Sequence, residues 1–414
     1  MTNLDPIIET LKSNPMFRMS LGAKELFHSN FLEFLSTLQP ASLFIDMVNG
    51  FLPEGKKLPK GVEYHLDREL KDFDICIHHE ENGRTVYDVV IENKVKSIPY
   101  KEQLKNYVGK ATGQGSGGCR FILLTLSKDF PDKGDKEIDE WIHIGYDKLR
   151  EGIEQHFIKG GNQDKKTRCY IDDYHDFIQQ LNELGTYLTP TDGQPLIDGD
   201  DKTSLEGIRL HDLYIKLRCS WFAMKLKERL EGKGIRTRVV HKYKECEPGY
   251  VNINVDMNQG NGQVAAWICD GDKKDGKGMA ANTFEVVIQG GQYRHGINQQ
   301  DVPDPIDPRK TKTPKEDRLN SLYDRLKKIA DTRPLDFLNF NDEQGILPAD
   351  DPGKERKFKK STVTKSGPFD CYSDRYLYRY RPVGNATIGQ LMDWMTADIV
   401  KLFGGIPDLH RMQA

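Results

Sequence analysis

Four residues between positions 74 and 94 have types and spacing that could activate water at a phosphate. Asp74 stands in LKDFDICI, and Glu92-Asn93-Lys94 lies near the end of VYDVVIENKV. Both segments read as strands of one hairpin that turns at Asn82-Gly83. Side chains alternate between the two faces of a strand, so Glu92 and Lys94 project together and Asn93 points the other way. The backbone carbonyl of Asn93 falls between them. Two carboxylates and one carbonyl suit a hard divalent cation, with water filling its other positions. Lys94 could then orient the attacking water or help deprotonate it, and would offer positive charge to a developing phosphorane. Acid-x-Lys is short, and taken alone it also reads as an ordinary charged strand end.

The surrounding pattern supplies the elements that must position these residues. Phe27, Phe31, Phe34, Leu35 and Leu38 recur at helical spacing, which predicts a helix over 23–38 that ends before Pro40. Strands are predicted at 62–70, 72–79 and 84–94, a helix at 99–110, strands at 120–126 and 141–145, and a helix at 147–158. Residues 186–204 are rich in Pro, Gly, Asp and Thr and read as a linker. Beyond it, helices are predicted at 208–230, 317–330 and 386–403, and strands at 236–243, 250–256, 263–269, 283–289 and 374–381. The spans 298–316 and 350–368 read as loops. The second half is therefore expected to be α+β.

The order of helix, Asp-bearing strand and apolar strand with Glu-x-Lys resembles the PD-(D/E)XK nuclease superfamily. Asp74 takes the place of the motif's Asp, and Glu92-Asn93-Lys94 that of (D/E)-x-K. Phe73 stands where the motif has Pro. Gln103-Leu-Lys-Asn-Tyr107 resembles the Q-x-x-x-Y element of the RecB-like and lambda-exonuclease-like branches. Gln103 and Tyr107 share one helix face. Glu25-Leu-Phe-His28-Ser29 resembles the E-x-x-H-S signature of a prokaryotic standalone branch.

Over roughly residues 20–160 the resemblance implies an α/β, restriction-endonuclease-like core, a mixed central sheet flanked by helices. It implies a Mg²⁺- or Mn²⁺-dependent nuclease acting on DNA, by analogy in restriction, repair or anti-phage defence. Asp74, Glu92 and the Asn93 carbonyl would hold the metal, Lys94 the water, and Gln103 and Tyr107 the phosphate. Glu25 is the first-helix acid expected to support the metal site, with Glu33 second. His28 could instead simply hold its helix in place. The domains expected are a nuclease-like domain at 1–185, the linker, and an α+β domain at 205–414. A non-enzymatic protein that keeps the fold, and an RNA-directed nuclease, are the competing readings. The intact Asp, Glu and Lys set argues against the first of these.

Composition narrows the partners. Lys plus Arg is 60 and Asp plus Glu is 63, a formal charge of −3, which excludes a broadly basic mode of nucleic-acid binding but permits a local basic cleft. One candidate is the run Lys354–Lys365, with Lys357, Lys359 and Lys360 at its centre. Arg375, Arg379 and Arg381 follow on one face of a strand, with Tyr376, Tyr378 and Tyr380 on the other. These arginines could track a phosphate backbone. The tyrosines could stack on bases or pack into the core. Nucleic-acid contact is the expectation for this half, ahead of a merely solvated loop, with ligand sensing, partner binding or homodimer formation as alternatives. No apolar run approaches the ~20 residues needed to cross a bilayer, and no signal peptide is read at the N-terminus. The seven cysteines are scattered and never spaced C-x-x-C, so neither a disulfide framework nor a zinc site is expected, and a cytoplasmic location is. The glycine run 113–118 and the P-loop-like stretch 271–278 lack the structural context or the Ser/Thr their chemistry needs.

Overall fold

The computed structural model describes the chain except residues 1–3, 21–23, 96–98, 100, 113–117, 127–135, 243–244, 258–260, 271–281, 300–316, 318–369, 373–375 and 405–414. Contacts divide it into two units. The first comprises Met1–Thr189 with Gly199–Arg218, and the second Pro190–Asp198 with Cys219–Ala414. Among the described residues no helix is long and apolar enough to cross a membrane.

The first unit is built on a five-stranded sheet in sequence order, β1 (His65–Arg68), β2 (Ile75–Glu81), β3 (Arg84–Lys94), β4 (Arg120–Thr125) and β5 (Trp141–Gly145). The first three strands are antiparallel and the last three run parallel, so the sheet is mixed. Asn82 and Gly83 both take positive φ, 52° and 72°, the two-residue turn that matches strand twist and joins β2 to β3.

Helices cover both faces. On one lies α5 (Lys101–Thr112), which makes the crossover from β3 to β4. Its Leu104, Tyr107 and Ala111 pack with Phe73, Cys76, Tyr87, Val90, Phe121, Leu123 and Trp141. On the other face lie α3 (Lys24–Ser36), α4 (Ser42–Phe51) and α6 (Tyr146–Ile153), whose Leu32, Phe44, Val48 and Leu149 meet Ile91, Ile122 and Leu124. α6 runs on through a wider π-helical stretch, Glu154–Lys159.

Two short N-terminal helices, α1 (Leu4–Ser13) and α2 (Pro15–Ser20), pack on α7 (Lys165–Leu188), a helix of 24 residues that the sequence reading did not identify. Its charged surface hides a regular buried line through Ile171, Tyr174, Ile178, Leu181, Leu184 and Leu188. The segment 186–204 closes α7 and opens α8 (Gly199–Glu206), where Leu188, Leu196 and Leu205 are buried. The unit ends in the first turns of α9 (His211–Glu231).

The second unit holds a seven-stranded sheet: β6 (Thr237–Val239), β7 (Val251–Asp256), β8 (Gln263–Asp270), β9 (Asn282–Gln289), β10 (Gln292–Gln299), β11 (Asp370–Tyr372) and β12 (Tyr376–Pro382), in the order β11-β12-β10-β9-β8-β7-β6. Its pairs are antiparallel except β6 with β7. The final helix, α10 (Ile388–Gly404), follows β12. β10 has little apolar alternation and was not anticipated; pairing on both edges forms it.

Tyr376, Tyr378 and Tyr380 line one face of β12 with ring centroids 5.1 and 6.2 Å apart, and the Arg294 guanidinium lies 5.0 Å from the Tyr378 ring. Lys357, Lys359, Lys360 and Arg375 lie outside the described residues, as do the loop expected at 350–368 and all but Asp317 of the helix expected at 317–330. For Arg379 and Arg381 only the backbone is described, opposite His295 and Tyr293.

Candidate active site

β3 carries the centre of the site. Its last residues stay buried in the sheet, with Glu92 beside Leu123 and Lys94 beside Thr125 of β4. Alternation turns Glu92 and Lys94 to the α5 side, where Lys94 Nζ and Glu92 Oε1 form an ion pair of 2.6 Å. Glu92 is 1% exposed and Lys94 9%. Gln103 Nε2 donates to the same Glu92 oxygen at 3.0 Å and to the Tyr107 hydroxyl at 2.8 Å. The Gln-x-x-x-Tyr face of α5 thus points at Glu92.

Asp74 sits one residue ahead of β2, not within a strand as the sequence suggested. The chain before it turns tightly: Glu69, Lys71 and Asp72 all take left-handed φ, 56°, 54° and 70°. Such a run is costly for residues with a Cβ. It delivers Asp74 in register beyond the Ile75–Ile91 pair, opposite Glu92. Asp74 Oδ2 accepts the Asn93 N–H at 2.7 Å. The Glu92 carboxyl lies close enough to act on Asp74 directly.

Asn93 faces the opposite layer and is fully buried. Its side chain ties three elements together. Nδ2 donates to the Glu25 carbonyl at 3.0 Å and to Ser29 Oγ at 3.3 Å, both on α3. Oδ1 accepts from the Tyr146 hydroxyl of α6 at 2.6 Å. Helix α3 is fixed in turn by α7: His28 Nδ1 meets the Tyr174 hydroxyl at 2.9 Å, and the Phe31 and Tyr174 rings stack with centroids 3.7 Å apart. Glu25 Oε1 accepts the Val95 N–H at 3.1 Å, just past Lys94. Glu33 pairs instead with Arg68 Nε at 2.7 Å. Ser29 and Tyr146 had been given no site role, although an amide on the Val89–Ile91 face of β3 signals that polar partners must be buried with it.

Asn93→Ala would strand the Tyr146 hydroxyl and take a donor from Ser29 Oγ, while the Glu25 carbonyl keeps the Ser29 hydroxyl. Roughly 1–3 kcal/mol for each buried group left unpaired makes this one of the more destabilising single changes in the first unit. Urea denaturation should show a loss of ~3 kcal/mol; a loss below about 0.5 kcal/mol would mean the network carries no weight.

The electrostatics follow from burial. Desolvation raises the Glu92 carboxyl to about 7, against the opposing pull of Lys94, and the Asp74 charge adds to the rise. Asp74 is also raised, again chiefly by burial and against the Asn93 N–H and Lys94. Burial pulls Lys94 downward, but Glu92, Glu25 and Asp74 outweigh it and hold Lys94 above the usual lysine value. The buried Glu92 Oε2 has no hydrogen-bond donor. An acceptor oxygen left bare beside a second carboxylate fits a cation. Among the described residues no group of three or more His, Cys, Asp or Glu side chains is arranged to hold a metal. A cation here would therefore rest on Asp74, Glu92, the Asn93 carbonyl and water, a set that a hard, strongly hydrated ion accepts.

Comparison with known proteins agrees with this geometry. Neither curated proteins nor solved structures give a match. The family model of the PD-(D/E)XK nuclease superfamily matches residues 61–175, which include Asp74, Glu92, Lys94, Gln103 and Tyr107 and leave α3 outside. The similarity to the PD-(D/E)XK nuclease superfamily thus lies in residues 61–175 of the first unit.

Proposed function

We propose that the first unit is a divalent-metal-dependent nuclease that hydrolyses phosphodiester bonds of DNA. The observation that carries this reading is the buried Glu92–Lys94 pair at 2.6 Å with Asp74 opposite and Gln103 on the same carboxylate. A structural ion pair needs neither a second carboxylate nor an oxygen left without a donor.

Asp74, Glu92 and the Asn93 carbonyl would hold Mg²⁺ or Mn²⁺, which supplies Lewis-acid polarisation of the phosphate and a water of lowered pKa. The chain's own residues do the rest. Lys94, held charged by its acidic neighbours, orients the attacking water and places positive charge near the phosphorane oxygens. Gln103 fixes the Glu92 carboxylate through one N–H, and with Tyr107 presents a polar face to the phosphate. Asn93 locks β3 against α3 and α6, so the carboxylates need not reorganise when substrate arrives. The direct test is incubation of the full chain with linear DNA, circular DNA and RNA, each with and without Mg²⁺ or Mn²⁺. Cleavage of DNA only with metal is expected. No cleavage of any substrate, or cleavage unaffected by chelator, would defeat the reading.

A pH prediction follows from Glu92. The cation binds the ionised carboxylate, so the proton that Glu92 keeps up to about pH 7 must leave first. Apparent metal affinity should fall about tenfold per pH unit below about 7 and level off above it. In the metal-free chain the sign is opposite for stability. The native state holds this proton above the unfolded carboxyl range, so the Glu92 contribution is full in acid and is lost as pH rises through about 7. Calorimetric titration with Mn²⁺ from about pH 5.5 to 8.5 reads the first effect, and a flat profile would exclude Glu92 as a ligand.

A further inference from the structure

Lys216 stands in the apolar stretch LYIKLRC of α9 and belongs with the first unit. It lies well beyond the matched segment, which ends at 175. The side chain is 1% exposed, one of the largest fully buried in the described chain. An amine so placed must find a hydrogen bond, and Lys216 finds it at the site: Nζ donates to the Val95 carbonyl at 3.2 Å. The same residue's N–H donates to Glu25 Oε1 at 3.1 Å. The first peptide units after Lys94 are thus held by a carboxylate from α3 and an amine from α9. Burial lowers the Lys216 amine to about 7; Glu25 acts against that and Lys94 with it, so both site charges are felt there.

A packing role alone would be met by Leu or Met, which cost nothing to desolvate. We propose that Lys216 is a positioning residue of the nuclease site, fixing the exit of β3 through the Val95 carbonyl and with it the direction of Lys94 and of the Glu25 carboxylate. This rests on the nuclease reading for its catalytic consequence, and on the structure alone for its mechanical one. The nuclease site then draws on three separate stretches of chain, and its last part comes from a helix outside the superfamily segment.

The test is Lys216→Met in the full chain, read three ways. Met removes the cost of burying the amine but leaves the Val95 carbonyl without its donor, so the two effects offset and thermal stability should change little. The Val95 amide should exchange with solvent at least ~10-fold faster while amides of β4 and β5 keep their rates. In saturating Mg²⁺, kcat on linear DNA should fall ~10- to 10²-fold with KM within about twofold, as a small misplacement of catalytic groups does. Unchanged Val95 exchange and kcat in a folded variant would overturn the proposal. So would a lowered Tm with exchange accelerated evenly through the sheet, since that marks a packing role. If the Met variant does not fold, Lys216→Leu is judged by the same criteria. If the wild-type chain cleaves nothing, the nuclease reading fails, and the Val95 exchange still decides whether Lys216 holds this turn.

Discussion

Asp74→Asn and Glu92→Gln should each lower metal-dependent cleavage by ~10³-fold or more, because on the proposed reading each removes one of two anionic ligands. Their effects on the fold should differ in an informative way. In Glu92→Gln the amide oxygen can keep the bonds from Gln103 and Lys94, and the new NH₂ takes the place of the bare Oε2 and donates to Asp74. Removing a buried carboxylate while satisfying an orphaned position should raise the Tm of the metal-free protein even as cleavage is lost. Asp74→Asn gains less, since Oδ2 already accepts the Asn93 N–H. Steady-state cleavage assays and thermal melts on the same samples decide this. If both variants cleave at the parent rate, the site lies elsewhere on the molecule.

Lys94→Ala should cost ~10²-fold or more in turnover while leaving metal bound. A protonated lysine has no lone pair for a cation, and its loss removes a charge that competes for Glu92 Oε1. The variant also leaves Glu92 without its countercharge, so the Glu92 carboxyl should hold its proton to higher pH than in the parent. Metal binding is therefore best compared at the plateau each protein reaches as pH rises and Glu92 ionises. Calorimetry that found metal affinity lost, with turnover near normal once metal is saturating, would reverse the assignment and make Lys94 an electrostatic support for the carboxylates.

The sequence revealed those parts of the site that depend on local periodicity. The strand 84–94 was read to its observed limits, the Asn82-Gly83 turn with it, and the i, i+4 pairing of Gln103 with Tyr107 placed both on one helix face. What stayed hidden depends on long-range packing or on unusual backbone. Nothing in the types of Glu69, Lys71 and Asp72 announces three left-handed residues, so Asp74 looked like part of a strand. Helix α7 is hard to read locally because seven charged residues are interleaved with the seven buried ones that a 3.6-residue count picks out. Nothing near Lys216 in the sequence marks it, because its partner lies 121 positions away, beyond any local pattern. Asn93 was legible as a backbone carbonyl only, because the three groups its side chain meets come from two other helices.

The Lys216–Val95 bond also bears on how the protein is made. Asn93 closes a loop of 68 positions back to Glu25, and Val95 one of 121 forward to Lys216. Loops of this size close late, after local helices and hairpins have formed. At about 5–20 residues per second, synthesis needs roughly ten seconds to go from Lys94 to Lys216. Throughout that interval the strand with Glu92 and Lys94 exists without the amine that donates to the Val95 carbonyl. A nascent or truncated chain would then carry the whole recognisable motif and still lack a settled site, so the catalytic geometry would be completed only once the chain has been made through α9.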